Sequence, residues 1–272
     1  MKRTKSWRRT CASLAGIAAA TLSASNAYAQ EAPELAHLVQ NPVAKVISLP
    51  FQNNLNFGAG PQSDEQDVLN IQPVLPFGMG PNWNLIARAI IPVVHEPPLG
   101  PGTGSTDGLG DTSLALYLSP ARPGKIIWGV GPAFTFPTAS HDELGQGKLD
   151  AGLSAVALTI RGHWLIGALA TDVASVSGVS YRKSVHQMLM QPFINYNFPR
   201  GWYLTSSPII TANWKAPGSQ QWTVPLGGGG GRAFRLGKQA MNVQMQAFGN
   251  VVRPRDAGNW TVRLQFQLLF PK

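Results

Sequence analysis

Residues 258–270 read G-N-W-T-V-R-L-Q-F-Q-L-L-F, and this stretch decides the fold. Every second side chain from Trp260 to Phe270 is apolar, and the side chains between them are polar except at Leu269. Because successive side chains of a strand point to opposite faces, the stretch predicts a strand with one apolar, aromatic-tipped face and one polar face. Such a strand suits the core of a soluble β-protein or the wall of a membrane barrel. The rest of the chain is needed to distinguish these two classes.

The first 29 residues have the pattern of a secretory signal peptide. Basic residues precede a short apolar run at 12–22, and Ala27-Tyr28-Ala29 matches the small-residue cleavage pattern. The apolar run is too short to cross a membrane as a helix. We therefore predict a signal peptide at 1–29, cleavage after Ala29 and an exported mature chain.

Removing this segment changes the apparent charge of the protein. The chain has 22 basic and 13 acidic residues and a net charge of +9; five basic and no acidic residues lie in the segment, so the mature net charge is +4. Nucleic-acid binding loses its main support, and we expect no nucleic-acid partner. The single cysteine, Cys11, is also removed, which excludes disulfides and thiolate metal sites in the mature chain.

Short alternating segments bounded by turn residues recur along the rest of the chain. They predict an all-β fold, an antiparallel transmembrane β-barrel of about twelve strands. The links alternate between short turns and longer loops, as do the periplasmic turns and external loops of outer-membrane barrels. The predicted strands lie near 44–57, 67–78, 83–96, 111–119, 125–137, 149–160, 163–175, 185–198, 202–214, 220–234, 238–252 and 259–270.

The domain organisation follows from this pattern. We predict a periplasmic N-terminal segment at 30–42 and an outer-membrane barrel at 43–272. Within the N-terminal segment, residues 33–40 predict a short helix with Leu35, Leu38 and Val39 on one side. This helix is either a linker or a plug under the barrel, and the pattern suits both.

Aromatic side chains are concentrated near both ends of the predicted strands, as expected for girdles at the two lipid–water interfaces. The turn-side group is Phe77, Trp83, Trp128, Trp164, Phe198, Trp202, Phe234 and Phe270, and the loop-side group is Phe57, Phe136, Trp214, Trp222 and Trp260.

The polar faces of the strands carry uncharged amides more often than Lys or Glu, which suits a narrow lumen where amides bond to one another. Arg88 and Arg263 are charged exceptions near mid-strand, and a charge at membrane depth normally faces protein or water. They either line a constriction that favours anions or pair internally with Asp111, Asp172 or Glu96. The candidate lumen-lining residues are Asn70, Gln72, Arg88, Gln187, Gln191, Asn242, Gln244, Gln246, Arg263, Gln265 and Gln267.

Proline and glycine interrupt the regular pattern. Proline cannot donate to a strand ladder, so bulged or shortened strands are expected at Pro50, Pro73, Pro92, Pro132, Pro192, Pro208 and Pro225. The five glycines of 227–231 predict a sharp bend or the close approach of another group inside the lumen.

Two short segments place a histidine beside groups that could take part in chemistry. His141-Asp142-Glu143 lies in a predicted external loop and suits either a divalent ion or simple solvation. Ser184 and His186 share a strand face, but a third catalytic group and oxyanion donors are not identifiable. We therefore expect no catalytic, cofactor or metal site, and the protein is not expected to be an enzyme.

Several motifs resemble a bacterial outer-membrane family named after a protein of the phenol meta-degradation pathway. Members of that family are described as transporters and are often mislabelled neuromedin U. The resemblance implies an outer-membrane β-barrel and supplies no catalytic motif and no defined solute. The matching motifs lie at 41–54, 70–77, 108–111, 128–132, 191–197, 223–229 and 268–272.

Three functions are compatible with these features. The first is an outer-membrane channel or transporter for small solutes, with aromatic or hydrophobic ones suggested by the family name alone. The second is a barrel with a filled lumen that has a structural or partner-binding role. The third is a soluble periplasmic barrel whose apolar face points inward. For the membrane forms, the expected partners are the lipid bilayer and lipopolysaccharide of the bacterial outer membrane, its assembly machinery and a small-molecule solute.

Overall fold

The computed structural model describes residues 34–100 and 102–270, and the predicted signal peptide lies outside the described residues. A short helix at 34–40 precedes fifteen strand segments. In chain order these are β1 (Ile47–Ala59), β2 (Asp64–Ile71), β3 (Val74–Met79), β4 (Trp83–Glu96), β5 (Thr106–Leu109), β6 (Thr112–Pro120), β7 (Ile127–Phe136), β8 (Lys148–Arg161), β9 (Trp164–Gly178), β10 (His186–Asn197), β11 (Trp202–Ser206), β12 (Ile210–Asn213), β13 (Trp222–Leu236), β14 (Gln239–Val252) and β15 (Trp260–Phe270).

The strands form one closed antiparallel barrel. Each pairs with its neighbours in the chain, and β1 also pairs with β15, from Ile47 opposite Phe270 to Phe57 opposite Trp260. Three barrel strands are each divided into two segments, namely β2 with β3, β5 with β6, and β11 with β12. Over the described residues the barrel therefore has twelve strands, which confirms the predicted fold.

The three interruptions all lie beside prolines. The register that pairs Met190 with Ile210 and Ile194 with Ser206 would place Pro192 opposite Pro208, so neither residue can donate at that step. Pro73 separates β2 from β3, and the break between β5 and β6 lies opposite Pro92. Pro225 lies at a register shift of β13, so the predicted bulge is confirmed there. Pro132 stays within β7, whose pairing with β8 has no register shift, so the prediction is wrong at that position.

The apolar face of the strands points outward. In β15, Trp260, Leu264 and Phe270 are exposed, whereas Arg263 and Gln267 are buried inside the barrel. This orientation is the reverse of that in a soluble barrel with an apolar interior, so the third function is contradicted. Exposed tryptophans lie near both rims, and Phe57 stacks on Trp260 with ring centroids 4.1 Å apart at the loop side. The exterior is therefore that of a barrel embedded in the outer membrane.

The N-terminal segment covers the turn-side mouth of the barrel. Leu35 and Ala36 of the helix are buried in a cluster with the wall residues Ala233, Ala240 and Leu269. Leu269 thus breaks the alternation of β15 because it packs against this helix. The arrangement favours the plug over the linker. Within the described residues, no helix is long and apolar enough to cross a membrane.

Two details of this segment differ from the prediction. Leu38 is 41% exposed, because the packed side of the helix is formed by Leu35, Ala36 and Val39. The first strand begins at Ile47 instead of near residue 44, since the preceding residues pack in the helix cluster.

The orientation of β15 predicts that Leu264→Arg harms assembly far more than Gln265→Arg. Leu264 faces lipid, where an arginine near mid-depth costs roughly 2–4 kcal/mol, whereas Gln265 faces the lumen. Heat-modifiable mobility in gels measures the folded fraction of each variant. An equal loss in both would contradict the assignment of faces.

Candidate functional site: the barrel lumen

Three cavities lie in the lumen formed by the described part of the chain. A cavity of about 690 Å³ and another of about 620 Å³ occupy the loop side, and a smaller one of about 130 Å³ lies above the N-terminal segment. We name them the outer cavity, the amide cavity and the inner cavity. The outer and inner cavities share a ring of lining residues, which forms a neck between them: Gln52, Gln72, Arg88, Leu169 and Gln191.

The lumen wall has two chemically different halves. One half carries amides, with Gln52, Gln72 and Gln265 pointing into the cavities. The other half is apolar and buried, and its cluster includes Val74, Ile86, Tyr117, Val156, Leu158, Leu165, Leu169 and Phe193. It includes the inward side chains Val156 and Leu158 of β8 and Leu165 and Leu169 of β9, which share their inward faces with polar residues such as Asp150 and Ser154.

Arg88 lies at the neck. One of its terminal nitrogens donates to Oε1 of Gln72 over 2.7 Å, and its side chain lines both the outer and the inner cavity. The arginine is only partly buried. Its guanidinium is therefore anchored on one side and accessible to the lumen on the other.

Arg263 is held differently. Its Nε donates to Oδ1 of Asn54 over 3.0 Å, and Nη1 donates to the backbone oxygen of Ser207 over 2.8 Å. The guanidinium carbon lies 4.9 Å from the ring centroid of Phe248, a cation–π distance. Only 5% of the residue is exposed, so water hardly reaches the guanidinium. Its charge is stabilised instead by these two neutral oxygens and by the face of the ring.

The suggested pairing of these arginines with acids is wrong for the described residues. Asp111 accepts from the backbone nitrogens of two loop residues, and Glu96 accepts from Gln66. Asp172 faces outward, where His186 lies 2.9 Å from its carboxylate and Trp214 donates to it. Register places Asp172 on the outer face of β9, so it cannot meet an inward arginine.

The glycine run is a passage for side chains that cross the lumen face of β13. Tyr203 of β11 reaches over Gly231, and its hydroxyl donates to Oδ1 of Asn242 on β14 over 2.7 Å. A β-carbon at position 231 would lie 2.5 Å from Cζ of Tyr203. The predicted close approach inside the lumen thus has a defined partner, the tyrosine ring.

A second crossing lies at the break between β11 and β12. The backbone nitrogen of Ser207 donates to Oε1 of Gln246 over 3.1 Å, and Nε2 of Gln246 donates back to the serine hydroxyl over 2.9 Å. Together with the bond from Arg263, these contacts fold residues 207–209 against β14 and β15. Ile209 of this segment lines both the outer and the amide cavity, so the segment divides them.

The structure thus separates the eleven candidate lumen residues into two groups. Asn242 and Gln246 are buried beneath Tyr203 and Ser207 and line none of the three cavities. The other nine line at least one cavity: Asn70, Gln72, Arg88, Gln187, Gln191, Gln244, Arg263, Gln265 and Gln267. Sequence reasoning missed Tyr203 and Ser207, and the adjacent glycine run was the one pattern that pointed to a bulky neighbour.

The side chains of the segment His141-Asp142-Glu143 bond to neighbouring protein groups. Nδ1 of His141 lies 3.1 Å from the hydroxyl of Ser140, and Asp142 pairs with Arg182 at 3.4 Å. Across the described ranges, no group of three or more His, Cys, Asp or Glu side chains is arranged to hold a metal ion.

The fold resembles that of solved outer-membrane proteins. The crystal structure of the COG4313 outer membrane channel from Pseudomonas putida F1 aligns with a TM-score of 0.61, at 16% identity, over 83% of this chain and 94% of that one. A bacterial polysaccharide outer membrane secretin has a TM-score of 0.40, at 11% identity, over 84% and 99% of the two chains. CdiB from Acinetobacter baumannii has a TM-score of 0.35, at 11% identity, over 84% and 60%.

Neither a family model nor a curated protein matches the sequence. The similarity to the Pseudomonas channel supports the fold, a closed outer-membrane β-barrel. The resemblance to the phenol meta-degradation family remains a prediction.

The tyrosine crossing predicts that Gly231→Ala is more disruptive than Gly230→Ala. A methyl group at 231 collides with the Tyr203 ring and the Val243 carbonyl, whereas one at 230 has its nearest contact at 3.1 Å. Overpacking of this kind costs roughly 1–3 kcal/mol. Denaturant unfolding in lipid vesicles measures the difference in free energy of unfolding, and equal stabilities would contradict the crossing.

Proposed function

We propose that this protein is an outer-membrane channel through which small solutes diffuse between the external medium and the periplasm. The observation that carries the proposal is the pair of lumen cavities that meet at the neck. The outer cavity reaches residues of the external loops, including Gln220 and Pro254. The inner cavity reaches the N-terminal segment. The similar Pseudomonas protein is named a channel, which agrees with this function.

The turn-side mouth is closed by a segment that is separate from the barrel wall. Residues 34–46 contact opposite sides of the wall, with Ala36 against β13, β14 and β15, and Val43 in the apolar cluster. Nε2 of Gln40 donates to Oδ1 of Asn197 over 2.8 Å, and the reverse bond is 3.2 Å long. Because none of these contacts is a strand pairing, the segment can leave the mouth while the ladder of the closed barrel stays intact.

A barrel with a permanently filled lumen is the second candidate. It is favoured by the bonds that Arg263 and Gln246 make to Ser207 across the lumen, since they fix residues 207–209 inside the barrel. The two candidates differ in conductance. Liposome swelling with a panel of small solutes distinguishes them, because a filled barrel admits none even when the N-terminal segment is released.

Releasing the N-terminal segment is expected to increase permeation. In Ala36→Asp a carboxylate replaces a fully buried methyl group within the cluster of Leu35 and Leu269, and burying an unpaired charge is costly. We expect the swelling rate to rise several-fold above that of the wild type. Lys45→Gln is the matched control, because it changes net charge by the same amount at an exposed position of the same segment. Swelling that stays at the level of empty liposomes in all three proteins would exclude the channel.

Acidification is expected to have a similar effect through His37. Burial lowers the pKa of His37 below its ordinary value of 6.5, the charge of His163 lowers it further, and Glu34 acts in the opposite direction. Its Nε2 is buried without a hydrogen-bond partner among the described residues. Because a lowered pKa means that protons bind better to the displaced segment, the seated state loses stability as pH falls below about 6.5.

Conductance in planar bilayers should therefore rise as pH falls below about 6.5. The His37→Leu variant should remove this rise, since it has no group that titrates at this position. A rise of equal size in the variant would place the pH dependence elsewhere.

A further inference from the structure

We propose that the outer cavity and its neck form a binding site for small monocarboxylates with an apolar body. This inference rests on the proposed channel function and names the class of solute that the lumen selects. The site combines the guanidinium of Arg88, which is accessible from the lumen, with an apolar wall opposite the amides. Its volume of about 690 Å³ is in the range typical of small-molecule sites.

Arg88 supplies the recognition of the carboxylate. A guanidinium has five N–H donors in a planar fork, and one terminal nitrogen of Arg88 bonds to Gln72. The remaining donors match the two oxygens of a carboxylate, which arginine binds in bidentate fashion. The neck also carries the amides Gln52 and Gln191, whose N–H groups can donate to the same anion.

The apolar wall supplies the recognition of the body. Leu169 and Val173 of β9 line the outer cavity across the barrel from Gln52 of β1, because β9 lies halfway around the strand order from β1. Ile90 of β4 and Leu189 of β10 also line it, on the strands that carry Arg88 and Gln191. Tyr117 lines it as well, but its hydroxyl lies 2.7 Å from Ser154 and is already bonded. A chain of several methylene groups therefore meets hydrocarbon here and loses no polar contact with the wall.

The charges of the cavity favour an anion. Among the described residues that line it, Arg88 is the one basic side chain and Asp111 is the one acid. Both oxygens of Asp111 are engaged, one by Ala139 N at 3.2 Å and the other by Gln146 N at 2.6 Å. These bonds compensate the acid at the loop side, whereas Arg88 at the neck lacks a compensating carboxylate in this cavity.

Hexanoate is the probe that tests the site, with titration calorimetry on the protein in lipid nanodiscs at neutral pH. Acetate has the same carboxylate without the apolar body, and hexylammonium has the same body with the opposite charge. We expect binding of hexanoate, at least tenfold weaker binding of acetate and no saturable binding of hexylammonium. Equal affinity for acetate and hexanoate would overturn the role of the apolar wall.

Variants separate the contributions of the two walls. Arg88→Gln should weaken hexanoate binding at least tenfold, Arg88→Lys should restore part of it, and Val173→Asn should weaken hexanoate but not acetate. Arg232→Gln is the control, because this arginine lies outside the barrel, 5.2 Å from the ring of Trp202. Heat-modifiable mobility verifies that each variant is folded. Hexanoate affinity that is unchanged in Arg88→Gln would overturn the proposal.

The site and the channel fail in different ways. Solute permeation without saturable hexanoate binding would overturn the site and leave the channel intact. Saturable binding that depends on Arg88, in a protein that conducts nothing after Ala36→Asp, would support the site and exclude the channel.

Discussion

The pairing of the first strand with the last is the interaction on which the rest of the structure depends. The hydrocarbon interior of a membrane offers no hydrogen bonds to a strand edge, and each unsatisfied backbone group costs several kcal/mol there. β1 and β15 satisfy each other along their lengths, from Ile47 opposite Phe270 to Phe57 opposite Trp260. Closure also creates an interior, and only then do the inward faces of the twelve strands share one lumen.

Closure limits the space inside, and the glycine run is a consequence of that limit. Side chains from every strand project into the same narrow volume, so the five glycines at 227–231 of β13 leave room for neighbouring side chains to cross that strand. Tyr203 and Ser207 cross β13 in this way and bond to Asn242 and Gln246 on β14. The crossing divides the loop side of the lumen into two cavities and buries amides that otherwise would line it.

Arg88 and Arg263 differ in how far their neighbours enclose the charged group. Both lie mid-strand on the polar face, and the sequence pattern treats them alike. Arg263 is enclosed by Asn54, Phe248 and the carbonyl of Ser207, so replacing it removes a contact that holds the lumen wall together. Arg88 is anchored by Gln72 alone in the contacts described above and faces two cavities. The guanidinium that remains accessible from the lumen is therefore that of Arg88.

The sequence by itself determined an all-β barrel of about twelve strands and the alternation of short turns with long loops, and it left open which face of the strands points inward. These features depend on side-chain alternation and turn chemistry, which are local properties of the chain. The tertiary structure alone decided that the N-terminal helix fills the turn-side mouth, that Leu269 packs against it, and which amides remain available in the lumen. These depend on partners that are distant in the chain, such as Arg263 with Ser207, 56 residues away, and Gln40 with Asn197, 157 residues away. Local patterns carry no information on such partners, because curvature and register of the closed barrel bring them together.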